Sequence, residues 1–174
     1  MKIIKYLIEF IVIIILFLIF KIVGYKKSSN LGNLIGKKFG PLFRSNKKIQ
    51  ENLEKSKIGK SYEERKAIID TMWGNYGRIL SEYLFLKQFK KNNFNQYIKV
   101  EGLNYLNEIK KNNEQVVFVS GHFNNFELMA MEIEKNDINL CAIYRPLNNP
   151  FLNVIMEHIR KKYICRNQIK KGKS

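Results

Sequence analysis

His122 and Glu127, in the run VVFVSGHFNNFELMA, are the residues whose types and spacing best suit chemistry. A carboxylate bonded to one imidazole nitrogen fixes the tautomer and leaves the other nitrogen as a base. Such a pair suits removal of a proton from a hydroxyl as it attacks an acyl group. Five positions amount to a rotation of roughly 500° on a helix, so the two meet only if His122 stands on the turn before a helix and Glu127 in its first turns. The run provides that layout: a buried strand at Val116 to Val119, Ser120-Gly121 at its end, and a helix starting near Asn124 to Phe126. Carboxyl ends of strands are where open α/β sheets place their sites. On spacing alone, HxxxxE also describes a surface histidine and an unrelated helix glutamate. Arg145 follows a second predicted strand, Leu140 to Tyr144, so it could face the same edge, and its guanidinium suits phosphate oxygens. An ordinary surface arginine fits that position equally.

The elements needed to position these residues can be read from rhythm and punctuation. Ser61-Tyr62-Glu63-Glu64 is a capping box that opens a helix. Behind it Ile68, Ile69, Met72, Trp73, Tyr76, Ile79, Leu80, Tyr83 and Leu84 recur at helical spacing, a core or membrane-facing stripe. From Tyr97 the rhythm shortens: a strand at Tyr97 to Glu101, a helix at Leu103 to Lys111 and the strand at Val116 to Val119. A helix at Phe126 to Lys135, a strand at Leu140 to Tyr144 and a helix at Pro150 to Tyr163 follow. Strands alternating with short helices predict an α/β layer with a largely parallel sheet.

The N-terminus predicts a membrane helix. Phe10 to Phe20 has no polar side chain, and Ile3 to Val23 reaches the roughly twenty residues that cross a hydrocarbon core. Lys5 and Lys21 can snorkel, whereas Glu9 is a cost if it lies deep. No small-x-small cleavage site follows, which argues against a signal peptide. Residues 1–27 therefore read as an anchor. Lys26, Lys27, Lys37, Lys38 and Arg44 after it, against Lys2 and Lys5 before it, place the remainder, 28–174, in the cytoplasm. The stretch from Ser28 to Phe43, with Gly32, Gly36 and Gly40, is expected to lie against the membrane, and Gly40-Pro41 is a turn signal.

GHFNNFEL followed by AIYRPLNNP resembles the lipid A biosynthesis acyltransferase family, whose members carry HxxxxE or HxxxxD and then a YRP segment. The likeness continues upstream through NLEKSKIGKSYEERKAIIDTMWGNYGRILSEYLFL and VEGLNYL, so it covers essentially the whole chain. It departs at Asn124, where the family often has Gly, and at Phe126, where it often has Trp. The resemblance implies a glycerolipid-acyltransferase-like α/β domain at the bacterial inner membrane. There it would transfer a fatty acyl chain from acyl carrier protein to a hydroxyl of a lipid A precursor. It makes His122 the general base, Glu127 its orienting partner, and Arg145 a phosphate ligand or a stabiliser of developing negative charge. Apart from the acyl carrier protein co-substrate it implies no cofactor and no metal. Family members run well beyond this length, so the sequence is expected to hold the N-terminal portion of such a domain, with the rest of the sheet and pocket lying downstream. Two readings stand beside this one: an acyltransferase for another glycolipid or a lysophospholipid, and a non-catalytic, membrane-tethered basic binding protein.

Composition adds partners rather than fold. The 31 Lys and Arg against 15 Asp and Glu give a net charge of +16, which attracts anionic membrane, phosphorylated lipid or an acidic protein. A Lys-, Asn- and Ile-rich genome would also produce it. The basic residues are scattered and carry no recognition motif, so nucleic acid is not an expected partner. Cys141 and Cys165 have no metal or CxxC spacing and read as small buried apolar residues. Gly59-Lys60-Ser61 and Gly172-Lys173-Ser174 lack the earlier glycine of a phosphate-binding loop. His158, between Ile155 and Ile159, reads as structural or exposed.

Overall fold

A computed structural model describes residues 2–172, so Lys173 and Ser174 of the second Gly-Lys-Ser match lie outside the described residues. The apolar N-terminal run forms one helix, α1 (Lys2–Val23), long and apolar enough to cross a membrane. Its aliphatic side chains, among them Ile4, Ile8, Ile15 and Ile22, are exposed, while Phe20 is fully buried. Gly24 ends it at φ 78° and ψ 168°, a backbone region essentially reserved for glycine.

The chain divides into two compact units. One runs from Leu16 to Leu84 and contains α2 (Tyr25–Phe39), α3 (Asn46–Lys55) and α4 (Tyr62–Glu82). The Ser28-to-Phe43 stretch is thus largely helical, and small residues let α2 and α4 approach backbone to backbone. A Cβ on Gly32 or Gly77 would overlap the other's carbonyl, and one on Gly36 would overlap that of Trp73. Ser28 and Ser81 are fully buried, their hydroxyls donating to the carbonyls of Tyr25 and Arg78, both at 2.8 Å. Arg78 donates to Ser29 Oγ at 3.1 Å and Asn30 Oδ1 at 3.2 Å, tying the helices on one side. The capping box forms: Ser61 Oγ accepts from Glu64 N at 3.1 Å. The Glu64 carboxylate returns to Lys60 N, at 2.6 Å, one residue earlier than the usual reciprocal bond.

The other unit joins the residues up to Ile15 to the chain from Phe85 onward. It holds α5 (Leu86–Lys90), α6 (Leu103–Asn112), α7 (Glu127–Lys135), β1 (Cys141–Tyr144), α8 (Pro150–Ile159) and β2 (Asn167–Lys170). Its buried apolar residues include Phe85, Leu86, Phe89, Met131, Ile133 and Ile164. Phe94 packs edge-on against Phe89 with ring centroids 5.1 Å apart. β1 and β2 pair in parallel with Ile143 opposite Ile169, and α8 makes the crossover that a parallel pair requires. After Ile159 the helix loosens into a π-helical turn, Arg160–Ile164, short of the expected end at Tyr163.

The protein is therefore mostly helical with a two-stranded parallel sheet, a narrower layer than the alternating rhythm predicts. Tyr97 to Glu101 is not a strand; a 3-10 turn, Asn95–Tyr97, gives way to irregular chain. Val116 to Val119 is not a strand either, and Val117 and Val119 are 90% and 89% exposed. An apolar β-branched run becomes a buried strand only when a neighbouring strand completes its hydrogen bonds. Among the described residues the sheet brings none to it. β2, in contrast, forms from the polar run NQIK, which carries no apolar alternation of its own.

Candidate active site

His122 and Glu127 do lie on either side of a helix start. The chain before α7 is irregular, and Asn124 takes a left-handed turn at φ 46°, the position where an Asn is tolerated in place of Gly. Phe126 N then donates to Asn124 O at 3.0 Å and Leu128 N to Asn125 O at 3.1 Å, closing the first turn. Glu127 is the first residue of α7 and is buried; His122 stays exposed.

Their side chains take different partners. The imidazole packs on the Phe126 ring, centroids 4.2 Å apart and planes tilted by 57°. Glu127 Oε1 accepts from Arg160 Nε at 2.8 Å and Nη2 at 2.5 Å. The turn thus brings His122 and Glu127 into one segment without a hydrogen bond between them. Arg160, at the start of the π-helical turn, is a site neighbour that the sequence does not flag: it lies 33 positions from Glu127 in a chain of 31 Lys and Arg.

Arg145 follows β1, exposed, and neither hydrogen bond nor ion pair joins it to His122 or Glu127. The loop that carries it is held firmly by α8. Tyr144 Oη donates to Glu157 Oε1 at 2.7 Å, and Leu147 N donates to Asn153 Oδ1 at 2.8 Å. Asn153 and Lys170 also donate to Glu157 Oε1, at 2.7 and 2.8 Å. The Lys170 ammonium first, then the Tyr144 and Asn153 donors, hold the Glu157 carboxyl at about 2. Burial first, and then Glu157, pushes the Tyr144 phenol up, so it remains a donor.

Asn149 caps α8 by accepting from Phe151 N at 3.1 Å and Leu152 N at 3.3 Å. Its amide also donates to Tyr6 O at 2.8 Å and Glu9 Oε2 at 3.1 Å. The carboxylate that interrupts α1 therefore has a fixed partner on the Arg145 side of the molecule. Phe10 packs near Phe151 with centroids 5.8 Å apart, reinforcing that junction.

Cys165 is buried as expected, and burial raises its thiol, whereas Cys141 is exposed because β1 turns that side outward. His158 is exposed on α8. A polar hollow of about 340 Å³, lined by Asn92, Asn95, Leu103, Glu132 and Lys135, includes none of His122, Glu127 and Arg145.

No solved structure matches the chain. It is similar to lipid A biosynthesis acyltransferase 2 of Shigella flexneri, 25% identical over 130 residues that make up 74% of this chain and 41% of that relative. The chain thus spans about two fifths of that relative's length. The model of the bacterial lipid A biosynthesis acyltransferases matches residues 1–167, from α1 through the His122 turn, the Arg145 loop and α8 into the start of β2. By that match, the chain belongs to the family of bacterial lipid A biosynthesis acyltransferases.

Proposed function

We propose that the protein transfers a fatty acyl chain from acyl carrier protein to a hydroxyl of a lipid A precursor. The observation that carries this is the family match over residues 1–167, within which His122 and Glu127 flank the start of α7. His122 takes the proton of the acceptor hydroxyl as its oxygen attacks the thioester carbonyl. The new ester C–O bond forms, the C–S bond breaks, and the carrier's thiol leaves with a proton returned from the imidazolium. Glu127 orients the ring, for which His122 turns off the Phe126 face, and Arg160 fixes the carboxylate in place. Arg145, on its braced loop, takes a phosphate of the precursor or the charge developing on the carbonyl oxygen.

α1 anchors this machinery in the inner membrane, and the excess of Lys and Arg after it keeps the site on the cytoplasmic side. Another glycolipid or a lysophospholipid as acceptor would use the same pair, and mass spectrometry of lipids made by the intact protein separates these acceptors.

The decisive measurement is transfer of labelled acyl chain from its carrier thioester to a lipid A precursor. His122→Ala should lower the rate by about 10²-fold or more, with membrane binding unchanged. Binding of both substrates with no transfer by the intact protein would sink the reading in favour of a basic tether.

A further inference from the structure

The turn at the end of α2 leaves Leu42 and Phe43 80% and 77% exposed, side by side, with Phe39 also exposed just before them. Pro41 in the 3-10 turn, Gly40–Leu42, fixes the backbone that presents them. Gly40 is buried under the Trp73 ring, so the base of the tip is rigid while its apolar end has no cover. Leu34, 64% exposed, lies on the face of α2 turned away from the glycines, with Lys27 and Lys38 seven positions before and four after it.

The charge of the chain on either side of this tip is of one sign. Lys37, Lys38, Arg44, Lys47 and Lys48 are all exposed, and no acidic residue occurs between Glu9 and Glu51. Exposed aromatic and aliphatic side chains flanked in the chain by exposed cations match an anionic lipid surface, which offers phosphates above and acyl chains beneath. Lipid is also within reach of the chain: α2 begins two residues after the end of a helix long enough to span a bilayer. A 15-residue helix measures about 22 Å, so α2 laid along the surface returns the tip to the interface where α1 ends.

We propose that Leu42 and Phe43, with the cations around them, form a second membrane contact that seats in the headgroup and upper acyl region of an anionic bilayer. α1 fixes the protein to the membrane, and the tip fixes the tilt of the α2–α4 pair upon it. This contact is independent of the acyl-transfer chemistry, since neither His122 nor Glu127 enters it.

The test uses the full chain carrying Phe43→Trp and Trp73→Phe, which places the single tryptophan at the tip, reconstituted in phosphatidylglycerol-rich vesicles. Lipids brominated high on the acyl chain should lower its emission about twofold or more, consistent with insertion about 5–10 Å deep. Acrylamide quenching should fall on adding vesicles, and Lys47→Gln with Lys48→Gln should weaken the bromine effect. Should the Trp73 replacement disturb α4, an environment-sensitive label on Phe43→Cys, corrected for the label at exposed Cys141, gives the same reading. Undiminished acrylamide quenching would overturn the proposal by placing the tip in water. Shielding from both quenchers would overturn it in favour of a protein partner or a second copy, and equal bromine quenching in phosphatidylcholine would remove the role of the charge.

Discussion

Glu127 is buried at a helix start, and its carboxylate pairs with the Arg160 guanidinium rather than with the imidazole five residues earlier. Removing one member of a buried pair strands the other, so Arg160→Ala should destabilise the fold by about 3 kcal/mol in chemical denaturation. Arg160→Lys, which cannot reproduce two hydrogen bonds from one planar group, should recover only part of that. Glu157 supplies a pH signature. Its carboxyl is held at about 2 in the folded protein by Lys170, Tyr144 and Asn153, below its ordinary value of 4.5. A depressed folded value contributes stability that is present above the unfolded value and is lost as pH falls toward the folded one. The denaturation midpoint should therefore drop between roughly pH 5 and pH 2, and Glu157→Gln should flatten that limb. An unchanged slope would show that the cluster does not tie β1 to α8. At this scale the sequence was legible where the chemistry is local: the His-turn-Glu order, and the helix start at Pro150. Arg160 and the Glu9–Asn149 bond were not, because nothing in either segment marks a partner 33 or 140 positions away.

The crossing of α2 and α4 depends on missing side chains. Gly32→Ala or Gly77→Ala would push a methyl into the facing backbone, which cannot yield as a side-chain end would. Each should cost roughly 1–3 kcal/mol of stability, read as a lowered thermal midpoint. Gly24→Ala separates volume from conformation: a Cβ there meets nothing within 4 Å, yet φ 78° with ψ 168° strains any L side chain. Its cost, about 1–3 kcal/mol, should come without any change in α2–α4 packing as seen by Trp73 fluorescence. If Gly24→Ala were silent, α1 and α2 would meet through some other backbone geometry. Helices with local signals were legible, as the Ser61–Glu64 cap and the Pro150 start show. The Gly32-Gly36-Gly40 series was not legible as a helix contact, because an absence of side chains leaves no periodicity to follow. Val116 to Val119 fails in the opposite sense: its pattern describes a strand that needs a neighbour, and pattern alone cannot supply one.

Charge is the property that belongs to the molecule as a whole. A net +16 on 174 residues, with eight cations and no acid between Glu9 and Glu51, makes a one-signed field at the N-terminal third. Such a field does little for the fold and much for encounter with anions. If the donor is an acidic carrier protein, attraction should raise the encounter rate at low salt and fade as the Debye length shrinks from about 10 Å at 0.1 M to about 3 Å at 1 M. We expect kcat/KM for the carrier-linked donor to fall about tenfold or more between low and high salt, with kcat little changed. A neutral acyl-pantetheine donor, with no carrier to attract, should show no such fall in the same vesicles. Equal salt dependence for both donors would assign the effect to the anionic acceptor and membrane instead. If α1 holds the protein on the membrane, it does so through burial rather than charge, so the salt series would leave attachment intact and report on encounter alone.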